Sequence, residues 1–277
     1  MDSYRLRSAL ARATIYAGLL LGAAAALFPF VWMILTSLKS YSEATIGTFW
    51  PRVWLWSNYP QAWDAMKFFP RYLENSVFIA LATVLGVLVT SSLAGYAFAR
   101  MRFPGRDALF VLVLFTMMVP GEVELVPNFI LISRLGWTNT YFALIIPWIA
   151  GAFSIFLMRQ FFIAIPDELY DAAVLDGCGH FRFLTTVVIP LSLPALITSA
   201  LFTFLGSWNS LEWPLLVTTA QNMRPIQVGL ASFVTEAGTQ VQWLMAAATM
   251  TIVPVVLIYF VAQRWFMEGI STTGLKG

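Results

Sequence analysis

Side chains that could carry acid, base or metal chemistry are scarce in this sequence. The chain has one histidine, His180, and one cysteine, Cys178, which stand two positions apart. No Cys/His cluster has the spacing of a metal site, and no second base or nucleophile accompanies the histidine. We therefore expect no metal, no intrachain disulfide and no catalytic residue, and we expect His180 to be a solvated loop residue.

Glu122 and Glu124 are the next candidates, in the segment VPGEVELVP of residues 119–127. In an extended chain they would point to opposite sides, and no metal-ligating residue accompanies them, so they predict no catalytic pair. Two interpretations stay open. The segment is either an unwound turn that lines a cargo pathway, or a turn at the outer interface of the bilayer. At that interface an acidic side chain costs less free energy than the roughly 2.5–3.5 kcal/mol that it costs at the bilayer centre.

Trp208, Asn209 and Glu212 form a second polar and aromatic group. An indole offers a stacking surface to a sugar ring, and the amide and carboxylate offer hydrogen bonds. The same three residues also fit an aromatic belt with one interfacial acid. We keep them as candidates for a substrate pathway with both interpretations open.

A phosphate-binding loop for ATP is not predicted. Such a loop reads G, four residues, G-K-[ST], at a turn between a strand and a helix. The nearest match, residues 269–274, is followed by Leu275 and Lys276, so the lysine is one place late and no hydroxyl residue follows it. Energy for any ATP-driven process must therefore come from a partner chain.

The elements that position these residues are predicted to be membrane-spanning helices. Hydrophobic residues make up 59% of the 277 positions and charged residues only 11%, against about 25% in soluble domains. A spanning helix needs about 20 apolar residues, and the chain has five such charge-free windows and a sixth that the two glutamates interrupt. We predict an all-α membrane protein with six transmembrane helices, at about residues 13–38, 75–99, 108–130, 138–160, 190–213 and 241–263.

The distribution of basic residues predicts the orientation. With the N-terminus inside, the inner segments hold ten Lys and Arg residues and the outer segments six. Because basic residues concentrate on the cytoplasmic side, both termini are expected to be cytoplasmic. The first outer loop is rich in Trp and Tyr, which we interpret as an anchor at the membrane interface rather than a ligand site. A net charge of +2 without a basic stripe predicts no nucleic-acid partner.

The loop between the fourth and fifth spans, about residues 164–189, carries a predicted short helix. Pro166 and the acids after it mark its start, and Gly177 marks its end. A helix of about ten residues is unstable alone in water, so it must lie against another surface, unless the segment is an ordinary solvated loop. Pro190 marks the entry to the fifth span. One face of the helix, at helical spacing, holds Leu169, Ala172, Ala173 and Asp176.

The sequence DAAVLDGCGHFRFLTTVVIP within this loop resembles the cytoplasmic signature of binding-protein-dependent ABC importer permeases. That signature reads E-A-A, three residues, G, nine residues, I, any residue, L-P. The matching positions are Asp171, Ala172 and Ala173 at the triplet, Gly177 at the glycine, and Val187, Ile189 and Pro190 at the end. Asp replaces Glu at the triplet, and Val and Ile replace Ile and Leu, so the chemical character is kept while the acid is shorter.

Further segments carry the same resemblance over essentially the whole chain. FLMRQFFIAIPDELYDAA, GSWNSLEWPLLV and the tail GISTTGLKG are similar to the carbohydrate-uptake branch, in particular to the maltose permease subunit with six spans. A glycerol-3-phosphate permease of this branch carries similar segments. The resemblance implies one permease domain over residues 1–277 and a sugar or oligosaccharide as cargo, with glycerol-3-phosphate or another polyol compound as the alternative.

The resemblance also implies a mechanism. The short loop helix would be a coupling helix that sits in a cleft of an ATP-hydrolysing subunit and moves the spans by alternating access when ATP closes two such subunits. Asp171 would make polar contacts in that cleft, and Asp176 would lie on the face that holds Ala172 and Ala173. Gly177 would allow the bend, and Ala172 and Ala173 would permit close approach.

The partners implied are a second homologous permease subunit, two ATP-binding subunits that hold ATP and Mg, an extracellular solute-binding protein and the lipid bilayer. The chain would then have no cofactor of its own and would lie in the bacterial or archaeal cytoplasmic (inner) membrane. A free-standing ion-coupled transporter is the rival interpretation. It would need ionisable groups near the midplane, and the five uninterrupted windows contain none.

Overall fold

In the computed structural model of this protein, residues 2–235 and 238–273 are described, with the side chains of residues 12–234, 238–260 and 263. Lys276, in the near match to a phosphate-binding loop, and the end of the tail lie outside the described residues. The described chain consists of helices and connecting loops, with one two-stranded antiparallel ladder, Val234–Thr235 with Gly238–Thr239. The predicted all-α class is confirmed.

Fifteen α-helices occur in the described residues. In chain order they are α1 Asp2–Ser37, α2 Tyr41–Ile46, α3 Asn58–Ala65, α4 Phe69–Arg100, α5 Arg106–Thr116, α6 Gly121–Arg134, α7 Tyr141–Ile145, α8 Ala152–Ile163, α9 Asp167–Leu175, α10 His180–Phe183, α11 Ile189–Leu191, α12 Leu193–Trp208, α13 Glu212–Val217, α14 Ile226–Ala231 and α15 Val241–Thr273. Short 3₁₀ turns cover Ile146–Trp148 and Gln221–Met223, and Leu184–Val188 is a π-helical turn.

Six candidate membrane spans follow from these helices. Three are single helices with apolar windows at Arg12–Ser37, Phe69–Arg100 and Val241–Phe260. The other three are pairs of helices bent at a short break, α5 with α6 by 99°, α7 and its 3₁₀ turn with α8 by 42°, and the helical segment His180–Leu191 with α12 by 81°. The predicted number of spans is met when each bent pair counts as one span.

The breaks change the predicted bounds of three spans. Residues 108–130 were expected as one helix broken near the glutamates, but the non-helical residues are 117–120, and both glutamates lie in the first turn of α6. The prediction 138–160 is interrupted at residues 149–151. The fifth prediction, 190–213, corresponds to α12, which begins at Leu193 and ends at Trp208. Pro120 and Gly151 occupy N-cap positions and Pro194 the first turn, as expected for residues that interrupt one helix and begin the next.

The chain divides into two compact units. One comprises the residues up to Lys67 together with Leu230–Val253, and the other comprises Phe68–Gly229 together with the residues from Pro254 on. The prediction of one permease domain over the whole chain stays a prediction.

In the second unit α4 runs against α8 and α12, and two glycines of α4 set the packing. A Cβ atom added to Gly95 would lie 2.7 Å from Met158 Cβ and 3.1 Å from the backbone nitrogen of Arg159. A Cβ on Gly86 would lie 2.6 Å from Ile149 Cγ2. Small residues let helix backbones approach closely in membranes, where packing drives helix association. Between α8 and α12, Ser199 donates a hydrogen bond of 2.7 Å to Ser154.

Two hydrophobic cores form along α4. Ile79 belongs to one, which also includes Ile132, Ala143, Leu144, Trp213 and Val217. Tyr96 belongs to the other, which also includes Met158, Phe162, Ile165, Phe183, Leu184, Val188 and Ala195. The two positions on α4 are 17 residues apart, which is about 26 Å of helix. One continuous helix thus connects the two cores.

In the first unit, the segment after α1 folds onto the end of that helix. Asn58 donates hydrogen bonds of 2.8 Å to the carbonyl oxygens of Ser37 and Lys39. Ser40 and Glu43 form a capping box at the start of α2. Burial disfavours the carboxylate of Glu43, but hydrogen bonds from the backbone N–H groups of Ser40 and Arg52 and from the Ser40 hydroxyl, together with the charge of Arg52, lower its pKa.

Candidate functional site

The predicted coupling segment forms a helical hairpin, which we define as residues 167–191. Its first helix, α9, starts at Asp167 after Pro166 and has nine residues. Gly177 follows in the left-handed conformation at φ 74°, where an L side chain is strained. The N–H of Gly177 bonds to the carbonyl of Val174 at 2.9 Å, and the N–H of Cys178 to that of Ala173 at 2.8 Å. These two bonds make the Schellman motif that ends many helices and turns the chain back.

One face of α9 packs on the body of the protein. Tyr170 and Ala173 lie against the core that contains Tyr96, and the Tyr170 ring meets the Phe183 ring edge-on at 5.1 Å. Because an isolated nine-residue helix would not be stable, this packing is what keeps α9 folded. The helix therefore has a fixed position relative to α4 and α8.

The other face of α9 is open. The exposed residues include the sequence-predicted Leu169, Asp171, Ala172, Asp176 and Gly177, together with Val174 and Leu175. Leu175 exposes 89% of its surface, and Phe181 in α10 exposes 72%. The predicted small-residue face is therefore split, since Ala172 lies on the open side while Ala173 packs inward. An open face with apolar and acidic residues can accept a partner protein.

His180 is exposed, as predicted, but it begins α10 instead of lying in a loop, and it contacts two tyrosines. Its Nδ1 lies 2.9 Å from Tyr96 Oη, and its Nε2 lies 3.2 Å from Tyr170 Oη. Its ring also stacks on the Tyr170 ring at 5.3 Å. The turn at Gly177 brings the histidine back to a tyrosine 84 positions earlier, and local sequence carries no signal of this contact. The histidine joins both helices of the hairpin to α4.

Arg100 is a second link that sequence reasoning missed. It ends α4 with a side chain only 8% exposed, and it forms an ion pair with Asp167 at the start of α9. Its guanidinium also donates to the carbonyl oxygens of Phe162, at 3.1 Å, and Ile165. These carbonyls lie at the end of α8 and in the connection to α9, so one side chain ties three elements together.

Pro190 lies where the hairpin joins the fifth span. It stands in α11, directly after the π-helical turn Leu184–Val188. Ser192 follows and separates α11 from α12 at the 81° bend. The proline is therefore a junction residue and is not on the open face of α9.

The predicted substrate-pathway residues differ in how far they are buried. Glu122 is exposed and Glu124 half-buried in the first turn of α6. Trp208 is buried and stacks on Phe204 at 5.4 Å, while Asn209 donates to the carbonyl of Leu205 at 2.9 Å. Glu212 lies exposed in the first turn of α13.

A cavity of about 420 Å³ lies in the second unit among α4, α7, α8, α12 and α13. None of the five predicted pathway residues lines it, although their neighbours Ser207, Ser210 and Trp213 do. The lining has no charged residue. Its hydroxyl groups belong to Ser76, Thr83, Ser154, Thr203, Ser207 and Ser210, and its aromatic rings to Trp148, Phe153, Phe202 and Trp213.

Several lining groups are held in place by hydrogen bonds and ring contacts. Trp213 donates from Nε1 to the carbonyl of Ala143 at 2.8 Å and meets Trp148 edge-on at 5.8 Å. Ser76 accepts from the N–H of Ile226 at 2.8 Å. Thr83 differs, because its buried hydroxyl has no hydrogen-bond partner within the described residues. A buried hydroxyl without a partner is costly, which suits a group that serves a ligand.

No three His, Cys, Asp or Glu side chains gather to form a metal site in the part of the chain that the structure describes. The cavity with its hydroxyl and aromatic lining, and the hairpin with its open face, are the two candidate functional sites. The first can bind a small polar ligand, and the second can bind a protein.

Comparisons with known proteins identify the family of the chain. Residues 91–272, about two thirds of the chain, match the family model "Binding-protein-dependent transport system inner membrane component". The arabinooligosaccharides transport system permease protein AraQ of Halalkalibacterium halodurans is 35% identical, covering 91% of this chain and 92% of the relative. The sn-glycerol-3-phosphate transport system permease protein UgpE of Yersinia enterocolitica is also 35% identical, covering 91% and 93%.

A solved structure also matches the fold. The crystal structure of a bacterial ABC transporter involved in the import of the acidic polysaccharide alginate contains a chain that superposes with a TM-score of 0.80 at 28% identity, over 91% of this chain and 96% of that one. The predicted resemblance to ABC importer permeases is confirmed. The chain is thus a multi-pass protein of the inner membrane and a transmembrane component rather than an ATPase. It belongs to the family of inner-membrane permease components of binding-protein-dependent ABC transporters.

Proposed function

We propose that this permease imports a neutral carbohydrate, a sugar or oligosaccharide, and that the cavity in the second unit contacts the cargo. The observation that carries the proposal is the uncharged lining, which combines six hydroxyl groups with four aromatic rings. Sugar hydroxyls exchange hydrogen bonds with such hydroxyls, and the apolar faces of sugar rings stack on aromatic side chains.

The charge of the cavity favours a sugar over glycerol-3-phosphate. A phosphate group desolvated in a cavity needs cationic partners, usually Arg or Lys, because burying an unpaired charge is very costly. The cavity lining contains neither residue. The relatives include permeases named for both kinds of cargo, so they leave this choice to the chemistry of the site.

In this proposal, the energy of ATP hydrolysis in the partner subunits reaches the permease through the hairpin. One of the two partner subunits that bind ATP and Mg docks on its open face, where Asp171, Ala172 and Asp176 are exposed. The hairpin lies on the cytoplasmic side, together with both termini, as the distribution of basic residues predicts. A second homologous permease subunit and an extracellular solute-binding protein complete the importer.

Movement of the hairpin reaches the cavity through α4. Arg100 and Tyr96 hold the hairpin at one end of this helix, and Ser76 and Thr83 line the cavity nearer the other end. From Thr83 to Arg100 the helix extends about 26 Å without a break. A displacement of the hairpin by the ATPase subunits therefore shifts one wall of the cavity, as alternating access requires.

The test uses the complete transporter, with its partner permease, ATPase subunits and binding protein, in lipid vesicles. Uptake and ATP hydrolysis are measured with arabinooligosaccharides, maltooligosaccharides and glycerol-3-phosphate, each with the binding protein present. We expect a neutral oligosaccharide to stimulate both activities and glycerol-3-phosphate to stimulate neither. Stimulation by glycerol-3-phosphate alone would overturn the proposed cargo, and uptake without the ATPase subunits would overturn the proposed mechanism.

A further inference from the structure

The segment of residues 46–56, which we name the aromatic loop, exposes an unusual amount of apolar surface. Arg52 is its one charged residue. The large exposed side chains are Ile46, Phe49, Trp50, Val53, Trp54 and Trp56, with 40–77% of each residue accessible. A contiguous apolar patch of this kind indicates a surface that is covered in the working protein.

The aromatic loop folds back along the first span instead of extending away from it. The Phe49 ring lies 5.8 Å from the Trp32 ring and 6.2 Å from the Phe28 ring, and both partners belong to α1. Trp50 meets Phe49 edge-on at 5.2 Å. The loop therefore runs beside the last three turns of a helix whose apolar window is Arg12–Ser37.

Lys39 holds the loop in this position. Its buried ammonium group donates to the carbonyl of Thr48 and, at 3.3 Å, to the hydroxyl of Thr36, and it lies 4.4 Å from the Trp32 ring centroid. Burial lowers the pKa of Lys39, and the charge of Glu43 acts in the opposite direction. The lysine thus satisfies a carbonyl of the loop that would otherwise face an apolar environment.

The position of Phe49 along α1 sets its depth. A window of 26 residues is about 39 Å long, so it extends about 4–5 Å beyond each side of a hydrocarbon core of about 30 Å. Trp32 lies about 7.5 Å and Phe28 about 14 Å before the end of the helix at Ser37. A ring in contact with both lies at the edge of the hydrocarbon, below the level of the headgroups.

We propose that the aromatic loop re-enters the membrane beside the first span and that lipid, rather than a protein partner, covers its apolar side chains. Trp side chains concentrate at the membrane interface next to this depth, and the apolar window of α1 beside the loop is only 6% buried within the chain. The loop acts as a wedge that fixes the height of the first span in the bilayer.

The experiment measures lipid contact directly. In a Cys178→Ser background, which removes the one native cysteine, single cysteines are introduced as Trp50→Cys and, independently, Ile46→Cys. Each is labelled with a nitroxide in the complete transporter, reconstituted in phosphatidylethanolamine and phosphatidylglycerol vesicles. Collision rates with oxygen, which concentrates in lipid, and with a water-soluble nickel chelate are compared by electron paramagnetic resonance. The control position is Asp64→Cys on the exposed surface of α3.

We expect the oxygen-to-nickel collision ratio to be severalfold higher at positions 46 and 50 than at position 64. A nickel collision rate at both loop positions equal to that at position 64 would show that water covers the loop and would overturn the proposal. Protection from both reagents would show that a protein covers it and would overturn the proposal equally. Two loop positions are used so that a local distortion at one of them does not decide the result.

Discussion

At the scale of single residues, the hairpin depends on Gly177. The glycine takes φ 74°, and an added Cβ atom would meet no atom within 4 Å. A substitution there is thus strained by its backbone conformation and not by a clash. For an L residue the left-handed conformation costs roughly 1–2 kcal/mol, and Asn tolerates it better than a β-branched residue does.

We therefore predict that Gly177→Val uncouples transport, whereas Gly177→Asn retains most of it. The valine shifts the turn that presents α9 and α10, so uptake by the reconstituted transporter falls more than ATP hydrolysis does. The ratio of solute imported to ATP hydrolysed is the measurement. Equal ratios in the valine variant and the unchanged protein would contradict a role of this turn in coupling.

The orphan hydroxyl of Thr83 gives a second prediction at this scale. Thr83→Val keeps the shape of the side chain and removes a buried hydroxyl that lacks a partner, so the melting temperature of the purified complex should stay the same or rise. If cargo accepts or donates a hydrogen bond there, the KM for uptake should rise about 2- to 10-fold.

The matched control for this variant is Thr198→Val. The Thr198 hydroxyl donates to the carbonyl of Pro194 within its own helix at 2.7 Å and does not line the cavity. The Thr198→Val variant should leave the KM for uptake unchanged. A Thr83→Val variant that is less stable and transports with an unchanged KM would mean that the hydroxyl serves folding and not cargo.

At the scale of elements, the contact between α4 and α8 depends on Gly95. Because the nearest atoms to an added Cβ include the Arg159 backbone, the helices must separate to accept Gly95→Ala. We predict a loss of about 1–3 kcal/mol, the usual cost of overpacking, seen as a lower melting temperature in detergent. Gly121→Ala, where an added Cβ meets no atom within 4 Å, is the control and should have little effect. Similar stability of both variants would contradict the tight packing.

Which elements the sequence could predict follows from how local their causes are. Charge-free windows predict spans because each charged residue placed in the bilayer costs free energy by itself, whatever its neighbours are. Pro166 and Gly177 predict the two ends of α9 because each restricts the conformation of its own backbone. The prediction placed the break at residues 117–120 too late in the chain and did not include the break at residues 149–151. An apolar segment has the same composition whether its helix is straight or bent, so composition does not locate a bend. The contacts of His180 and Arg100 link residues far apart in the chain, so no local pattern reveals them.

The cavity was the part of the site least accessible to sequence reasoning. Polar and charged residues such as Glu122 and Glu212 draw attention in an apolar chain, but the lining consists of serines, threonines and aromatic residues that are ordinary in membrane helices. They become a site only because five helices bring them together. Motif reasoning worked better for the hairpin, whose turn chemistry and signature lie within twenty residues.

At the scale of the whole molecule, assembly with the ATPase subunits should depend on the charge of the hairpin's open face. We predict that Asp171→Lys lowers the amount of ATPase subunits that co-purifies with the transporter and lowers uptake, without changing insertion of the chain in the membrane. Co-purification and uptake are compared with those of Asp64→Lys, the same reversal at an exposed position of α3. Normal assembly and uptake in the Asp171 variant would show that the ATPase docks elsewhere.

The length of α4 has a consequence for how such a docking protein approaches. Its 32 residues make a rod of about 48 Å, and about 45 Å along the membrane normal at the usual tilt of about 20°. That height equals the full thickness of a bilayer with both headgroup layers, about 40–45 Å. Arg100 and the hairpin that it holds consequently lie level with the surface of the headgroup layer, where a water-soluble motor can engage them by diffusion from the aqueous phase.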